Sequence, residues 1–448
     1  MCSGPIVSRM LLFTGPLVLS SVLQLLFNAA DVVVVGKYAG DNSLAAVGSV
    51  GPLINLFVAL FMGLSIGSNV LASRAYGSRN DVQMTRTVHT SMLVSLISGV
   101  ILAVMGFLFT RQILVWMNSP AETLPLASLY LKIYFLGMPA SMVYNFGSAI
   151  LRAVGDTRRP MYFLTIAGVI NVILNLVFVI SLKMDVAGVA TATVISQVIS
   201  ATLVVVCLMR ESGSLRLDIR SLHIDKDILI KIIRIGLPAS FQGMLFSLSN
   251  VIIQSSVNSF GATVVAGNSA AQNIEGFVYV SMNAFYQACI SFVSANVGAR
   301  KNDRINKILV RAEICVIVTG MLLGGYAYLD AHRLISLYTN SEAVVAAGKI
   351  RMMYVSLPYF LCGMMDVMVG ALRGLGYAIL PMAVSLVGAC GLRLMWIFTL
   401  FQTPRFHETR FLYITYPVSW TVTFLIHVVC YIIVKKKFDR THSKDMTV

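Results

Sequence analysis

The sequence predicts an all-α integral membrane protein, with about twelve transmembrane helices in two pseudo-symmetric six-helix lobes. Three observations carry that prediction: scarce charge, apolar runs of membrane length, and an internal repeat. Of 448 residues, 57% are hydrophobic and 12% charged. A soluble domain carries roughly 25% charged residues, so most of this surface must face lipid. Apolar runs of about 20 residues, enough to cross a hydrocarbon layer ~30 Å thick, recur along the whole chain. Only helices and closed barrels satisfy their backbone in lipid. These runs are far longer than barrel strands and lack a two-residue alternation, so they are helices.

The repeat is explicit. Arg152-Ala-Val-Gly-Asp-Thr-Arg-Arg-Pro160 is answered by Arg373-Gly-Leu-Gly-Tyr-Ala-Ile-Leu-Pro381, 221 positions on. Gly77 is answered by Gly298 and Gly40 by Gly261 at the same offset of 221, while Gly15-Pro16 and Leu237-Pro238 fall at 222. An even number of spans per copy makes the halves parallel. Two like halves can rock about a site between them, which points to transport.

Taken in order, the expected spans of the first half are 11–36, 48–72, 88–110, 126–150, 160–181 and 187–209. The first contains Pro16, Gln24, Asn28 and Asp31, and its repeat partner lies mid-chain, so it is not a cleaved signal peptide. A polar linker, 211–227, follows; Ser212-Gly213-Ser214 ends the sixth helix, and a short surface helix is expected from Asp225. The second half repeats the plan at 228–258, 264–296, 309–329, 346–372, 379–401 and 414–434. The lobes are therefore expected at 1–210 and 228–434, with a basic tail at 435–448.

The net charge of +15 is placed unevenly. Arg74, Arg79, Arg86, Arg152, Arg158, Arg159, Arg210, Arg300, Lys301, Arg304, Arg373 and Lys435–Lys437 fall on one side, and few cations fall on the other. This is the positive-inside pattern of a plasma-membrane protein with both termini in the cytoplasm. Basic loops against anionic lipid account for the charge without nucleic acid. The seven cysteines form no CxxC pair, and the six histidines form no HExxH motif. No Walker A loop is present, so transport would be secondary, driven by an ion gradient. No paired acid and base or metal constellation suggests an enzyme, and no cofactor is expected.

Ionisable groups inside spans are costly and tend to line cavities. Asp31, Glu275, Asp366 and Arg393 are such groups. Asp31 lies five residues before Gly36, roughly 8 Å below the outer boundary at 1.5 Å per residue. Asn28 shares its face. A carboxylate there can be neutralised by a proton, a metal cation or an organic cation, the competition an antiporter needs. Asn171 and Asn175, at i and i+4, line a pocket or bind helices together. Asp366 and Asn145 occupy equivalent repeat positions, 221 apart. Asp366 lines the central cavity or pairs with Arg393. Glu275 is a second ion or substrate carboxylate, or a packing residue. Tyr279 and Met282 are soft side chains of the kind that suit promiscuous binding.

These residues resemble the multidrug and toxic compound extrusion (MATE) family over nearly the whole chain. The carriers are Gly15-Pro16-Leu17, Asn28-Ala-Ala-Asp31, Leu44-Ala-Ala-Val-Gly48 with Pro52, Gly77, Leu151-Arg-Ala-Val-Gly-Asp-Thr157, Gly188-Val-Ala-Thr-Ala-Thr193, Gly236-Leu-Pro238 and Ala371-Leu-Arg-Gly374. The resemblance implies two lobes about a central cleft, alternating access, and export of organic cations or other amphipathic drugs in exchange for protons or sodium.

By that resemblance Asp31 matches the first-helix aspartate of the DinF-like branch, with Asn28 as its polar neighbour. Asn171 and Thr193 match an asparagine and a threonine of the same pocket. Asn175 departs from members with a second aspartate there. The NorM branch uses a glutamate in the seventh helix; the corresponding stretch here, 239–246, offers only Gln242. Sodium at Asp31 or Asp366 stays open beside protons. A lipid-linked saccharide or peptidoglycan-precursor flippase is the alternative; it would require cationic side chains in the cleft, for which Arg393 and Lys132 are the candidates. The covalently joined halves permit a monomer.

Overall fold

The computed structural model describes residues 1–117 and 120–444. Among these there are helices and turns and no strand. The first half runs α1 (Ile6–Tyr38), α2 (Asp41–Ser78), α3 (Asp81–Trp116), α4 (Leu124–Leu136), α5 (Met138–Ala153), α6 (Arg158–Asn175) and α7 (Asp185–Arg210). The second runs α8 (Lys226–Asn258), α9 (Ala262–Gly298), α10 (Asn302–Leu329), α11 (Ala331–Ser336), α12 (Glu342–Arg351), α13 (Phe360–Gly374), α14 (Ile379–Ser385), α15 (Leu392–Phe398), α16 (Thr409–Tyr413) and α17 (Thr415–Lys444). Eleven of the described stretches are long and apolar enough to cross a membrane, and the pair α4–α5, bent by 46°, makes a twelfth. The bend falls at Gly137, just before Pro139, whose ring cannot continue a straight helix. The final residues of the expected basic tail, 445–448, lie outside the described residues.

The repeat is written in the backbone. Gly40 and Gly261 precede α2 and α9 with φ of 87° each, and Gly155 and Gly376 both have φ of 95°. Arg79 and Arg300 close α2 and follow α9 in the left-handed region, at 54° and 56°. All three pairs are 221 apart. Close helix contacts recur too. A Cβ on Gly99 of α3 would lie 2.4 Å from the Pro139 Cα of α5. A Cβ on Gly320 of α10 would lie 2.7 Å from the Phe360 Cβ of α13. Only glycine lets either pair of backbones approach this far.

The chain forms two compact units. One is Leu19–Ser240; the other joins Met1–Val18 to Phe241 onward. The expected lobe limits of 1–210 and 228–434 differ from these, because α1 and α8 each divide between units. In the first unit, Val35, Leu102, Leu131, Phe135, Met138 and Val189 fill one apolar core. In the second, Met10 and Phe13 pack with Phe285, Phe292, Val316 and Leu372. The Phe13 and Phe292 rings meet edge to face at 5.5 Å.

The linker is docked on α3 within the first unit. Ser214 Oγ donates to Asp81 at 2.7 Å, Asp218 N to His89 Nε2 at 3.1 Å, and Asp225 N to Thr90 Oγ1 at 3.0 Å. No separate surface helix begins at Asp225. Its carboxylate instead accepts from Asp227 N and Ile228 N and starts the continuous 33-residue α8. Those backbone bonds hold the Asp225 carboxyl below its ordinary value.

Candidate functional site

Three helices bring one polar cluster together in the first unit. Asn171 and Asn175 lie one turn apart on α6, at 5% and 1% exposure. Asn175 Nδ2 donates to Asp31 Oδ1 of α1 and, at 3.3 Å, to Asn171 Oδ1. Asn171 Nδ2 reaches Thr193 Oγ1 of α7 at 3.4 Å. Asp31 is half-buried, and Asn28, a turn earlier, is exposed and outside this bonded chain. The Asn175 Oδ1 is buried with no hydrogen-bond partner among the described residues. Directly after Asn175, α6 widens into a π-turn, Leu176–Ser181. Such an inserted residue re-aims the side chains around it and recurs at functional sites. The phenols of Tyr130 and Tyr134 on α4 lie within electrostatic range of Asp31, a contribution not visible in sequence.

The cluster offers a carboxylate, two amides and a hydroxyl. Oxygen donors of this kind suit a proton or a hard cation. Among the described residues no three His, Cys, Asp or Glu side chains converge as a metal centre.

Glu275 of α9 is held in a buried ion pair. Arg351 Nη2 donates to it at 2.7 Å and Arg351 Nε at 3.1 Å, and Ser356 Oγ adds a bond of 3.1 Å. Both charged side chains are 4% exposed. Arg351 Nη1 also reaches Asn268 Oδ1 at 2.8 Å, and its guanidinium faces the Tyr413 and Tyr416 rings. Of the two tasks expected for Glu275, the packing one fits this geometry. Arg351 was missed because a cation near a span end reads as a loop residue.

Gln242, Asp366 and Tyr279 do gather, about an arginine that the charge pattern places in a cytoplasmic loop. Arg373, at the end of α13, is 4% exposed. It donates to Gln242 Oε1 at 2.8 Å and to Tyr286 Oη. Asp366 is half-buried on the same helix, within electrostatic range of Arg373 and Tyr279. The expected alternative pair, Asp366 with Arg393, does not form among the described residues. Arg393 Nε donates to Ser419 Oγ at 2.7 Å, and its guanidinium stacks 4.4 Å from the Tyr416 ring centre. Tyr279 is 38% exposed and stacks on Tyr359 at 6.3 Å. Met282, at 1% exposure, packs into the seam beside Gly320 and Gly363. Asn145 turns back to its own helix, donating to Ser141 O at 2.8 Å.

A repeated six-span bundle with a carboxylate–amide cluster among its helices defines a multi-pass membrane transporter. The chain belongs to the MatE family, whose model matches residues 16–177 and again 238–399, once in each half. The "Probable multidrug resistance protein YoeA" of Bacillus subtilis is 29% identical over 433 residues, covering 95% of this chain and 93% of that protein. The "Probable multidrug resistance protein NorM" of Thermotoga maritima is 25% identical over 381 residues, 84% of this chain and 81% of its own. Among solved structures, a multidrug resistance MATE family transporter of the MOP superfamily in an outward-facing conformation superposes with a TM-score of 0.90 at 21% identity, covering 98% of this chain and 97% of that one. A MOP superfamily transporter from Pyrococcus furiosus, described by a binding pocket of reversed polarity, gives 0.91 at 21% identity, covering 97% of each. Members of this family are transporters, not enzymes.

Proposed function

We propose that this protein is a secondary active multidrug efflux antiporter. It exports organic cations, or other amphipathic drugs, in exchange for protons or sodium by alternating access. The observation that carries the reading is the Asp31–Asn175–Asn171–Thr193 chain of hydrogen bonds, with the Asn175 carbonyl oxygen left over. The relatives' names as multidrug resistance proteins support the drug-export part. The protein works as a monomer in the plasma membrane, with both termini in the cytoplasm.

The cycle runs as a competition. A coupling cation enters and neutralises Asp31, and Asn175 and Asn171 reorganise about it. α1, which lacks a backbone donor at Pro16, bends and shrinks the pocket, and drug leaves. The cation is then released to the cytoplasm and the pocket reloads. The flippase alternative, whose cationic candidates are Arg393 and Lys132, gains no support: Arg393 donates to Ser419 Oγ, and the Lys132 ammonium lies over the Phe107 ring.

The test is gradient-driven movement of ethidium in liposomes holding the purified protein, with proton and sodium gradients imposed separately. Wild type should move ethidium under at least one gradient, and Asp31→Asn should fall to background. Full export by Asp31→Asn would sink the coupling assignment, and no wild-type movement under either gradient would sink antiport.

A further inference from the structure

Outside that cluster, one acid among the described residues keeps both carboxyl oxygens buried without a hydrogen-bond partner. Glu313 sits on α10, eleven residues after Asn302 and so roughly 16 Å along the helix. Each of its carboxyl oxygens has under 1 Å² of exposed surface and no hydrogen-bond partner among the described residues. Ala312 and Val316 beside it are fully buried, while Val310 and Ile314 face outward. Glu313 therefore stands at the edge of the face that α10 packs against α9 and α13.

Its surroundings offer little to an ion. From α9 the buried thiol of Cys289 lies within electrostatic range, where α9 passes Gly370 of α13. No charged side chain of α13, or of the π-turn Met352–Ser356, acts on it among the described residues. On α10 itself Arg311 is two positions away and points to another face. An ionised carboxylate with no partner is not tolerated in such a place, whereas the neutral acid is.

The repeat adds an independent argument. The position 221 earlier, on α3, is Met92, which is 6% exposed and part of an apolar core. The fold thus fills this place with a thioether in one copy and a carboxyl in the other. Packing alone does not require the acid.

We propose that Glu313 is a proton-binding site of the C-terminal unit, separate from the Asp31 cluster. In the conformation described it is the neutral acid. When α10 parts from α9 and α13 and water enters, the O–H bond breaks, the proton passes to water and the carboxylate remains. The return is the reverse transfer, and no co-reactant is needed. The inference stands whether or not Asp31 couples transport.

Infrared difference spectroscopy on the full-length protein in lipid tests it, as pH is raised and with ethidium added. Wild type should show a protonated-carboxyl C=O band that disappears on deprotonation. That band should be lost in Glu313→Gln and in Glu313→Met and should survive in Asp31→Asn. Glu313→Met copies the sister repeat, so it keeps the comparison alive should the glutamine variant fold poorly. An unchanged band in a folded Glu313 variant, or no such band in wild type, would overturn the assignment.

Discussion

Glu275 keeps both oxygens bonded, to Arg351 and Ser356, while Asp31 is held through one amide of Asn175. A carboxylate locked in a bidentate pair cannot exchange partners without leaving a bare guanidinium behind. Removing one member of such a buried pair costs about 3–5 kcal/mol. Glu275→Gln and Arg351→Met should each lower the thermal unfolding midpoint of the purified protein, and the double change Glu275→Leu with Arg351→Met should recover much of the loss. Equal stability for all three would mean the pair holds nothing in place. Much of the first-unit cluster was legible in sequence, because a carboxylate and amides inside apolar runs stand out against hydrocarbon. Arg351, Arg373 and Tyr130 were not. Their roles depend on helix rotation about the long axis, which hydropathy does not encode. The inward turn of Arg373 was not legible, because an arginine at a span end looks the same whether it turns out to water or inward to Gln242.

Helices, rather than their ends, were what hydropathy described well. The second span reads as 48–72 but the helix runs Asp41–Ser78, since polar turns continue a helix beyond the lipid. The bend at Gly137 and the π-turns left no hydropathic trace, because the residues there remain apolar. The glycines at helix contacts give a sharper element-scale prediction. Gly99→Ala and Gly320→Ala should each destabilise by about 1–3 kcal/mol, the cost of overpacking where backbone cannot retreat. Thermal unfolding of the two variants checks it, and a pair of neutral results would show that α3 and α10 have room to move. Acid should also loosen the linker. The Asp225 carboxyl is held below its ordinary value of 3.8, so its contribution is full above that value and is lost as pH falls through the lower, folded one. Proteolysis of residues 211–225 should speed up there, and Asp225→Ala should show that speed already at neutral pH.

At the scale of the whole molecule, the division into units falls inside helices. The boundary in α1 follows Val18, two residues after Pro16, and that in α8 follows Ser240, two residues after Pro238. A proline inside a helix removes one backbone bond and weakens the rod locally. Pro16→Ala with Pro238→Ala should therefore give a protein no less stable than wild type that exports ethidium more slowly. Undiminished export by the double variant would remove these prolines from the moving parts. The doubling of the chain was plain in its sequence. The exchange of helix beginnings was not, because hydropathy records where a span lies and not which neighbours it joins.

That exchange also bears on ancestry. If one six-span gene was duplicated and fused, the unfused product would have been a pair of copies, each lending the start of its first helix to its twin. The linker would then be a scar of fusion rather than a border between folding units. Cutting the present gene within 211–213 should yield two fragments that fare poorly alone and recover when made in the same cell.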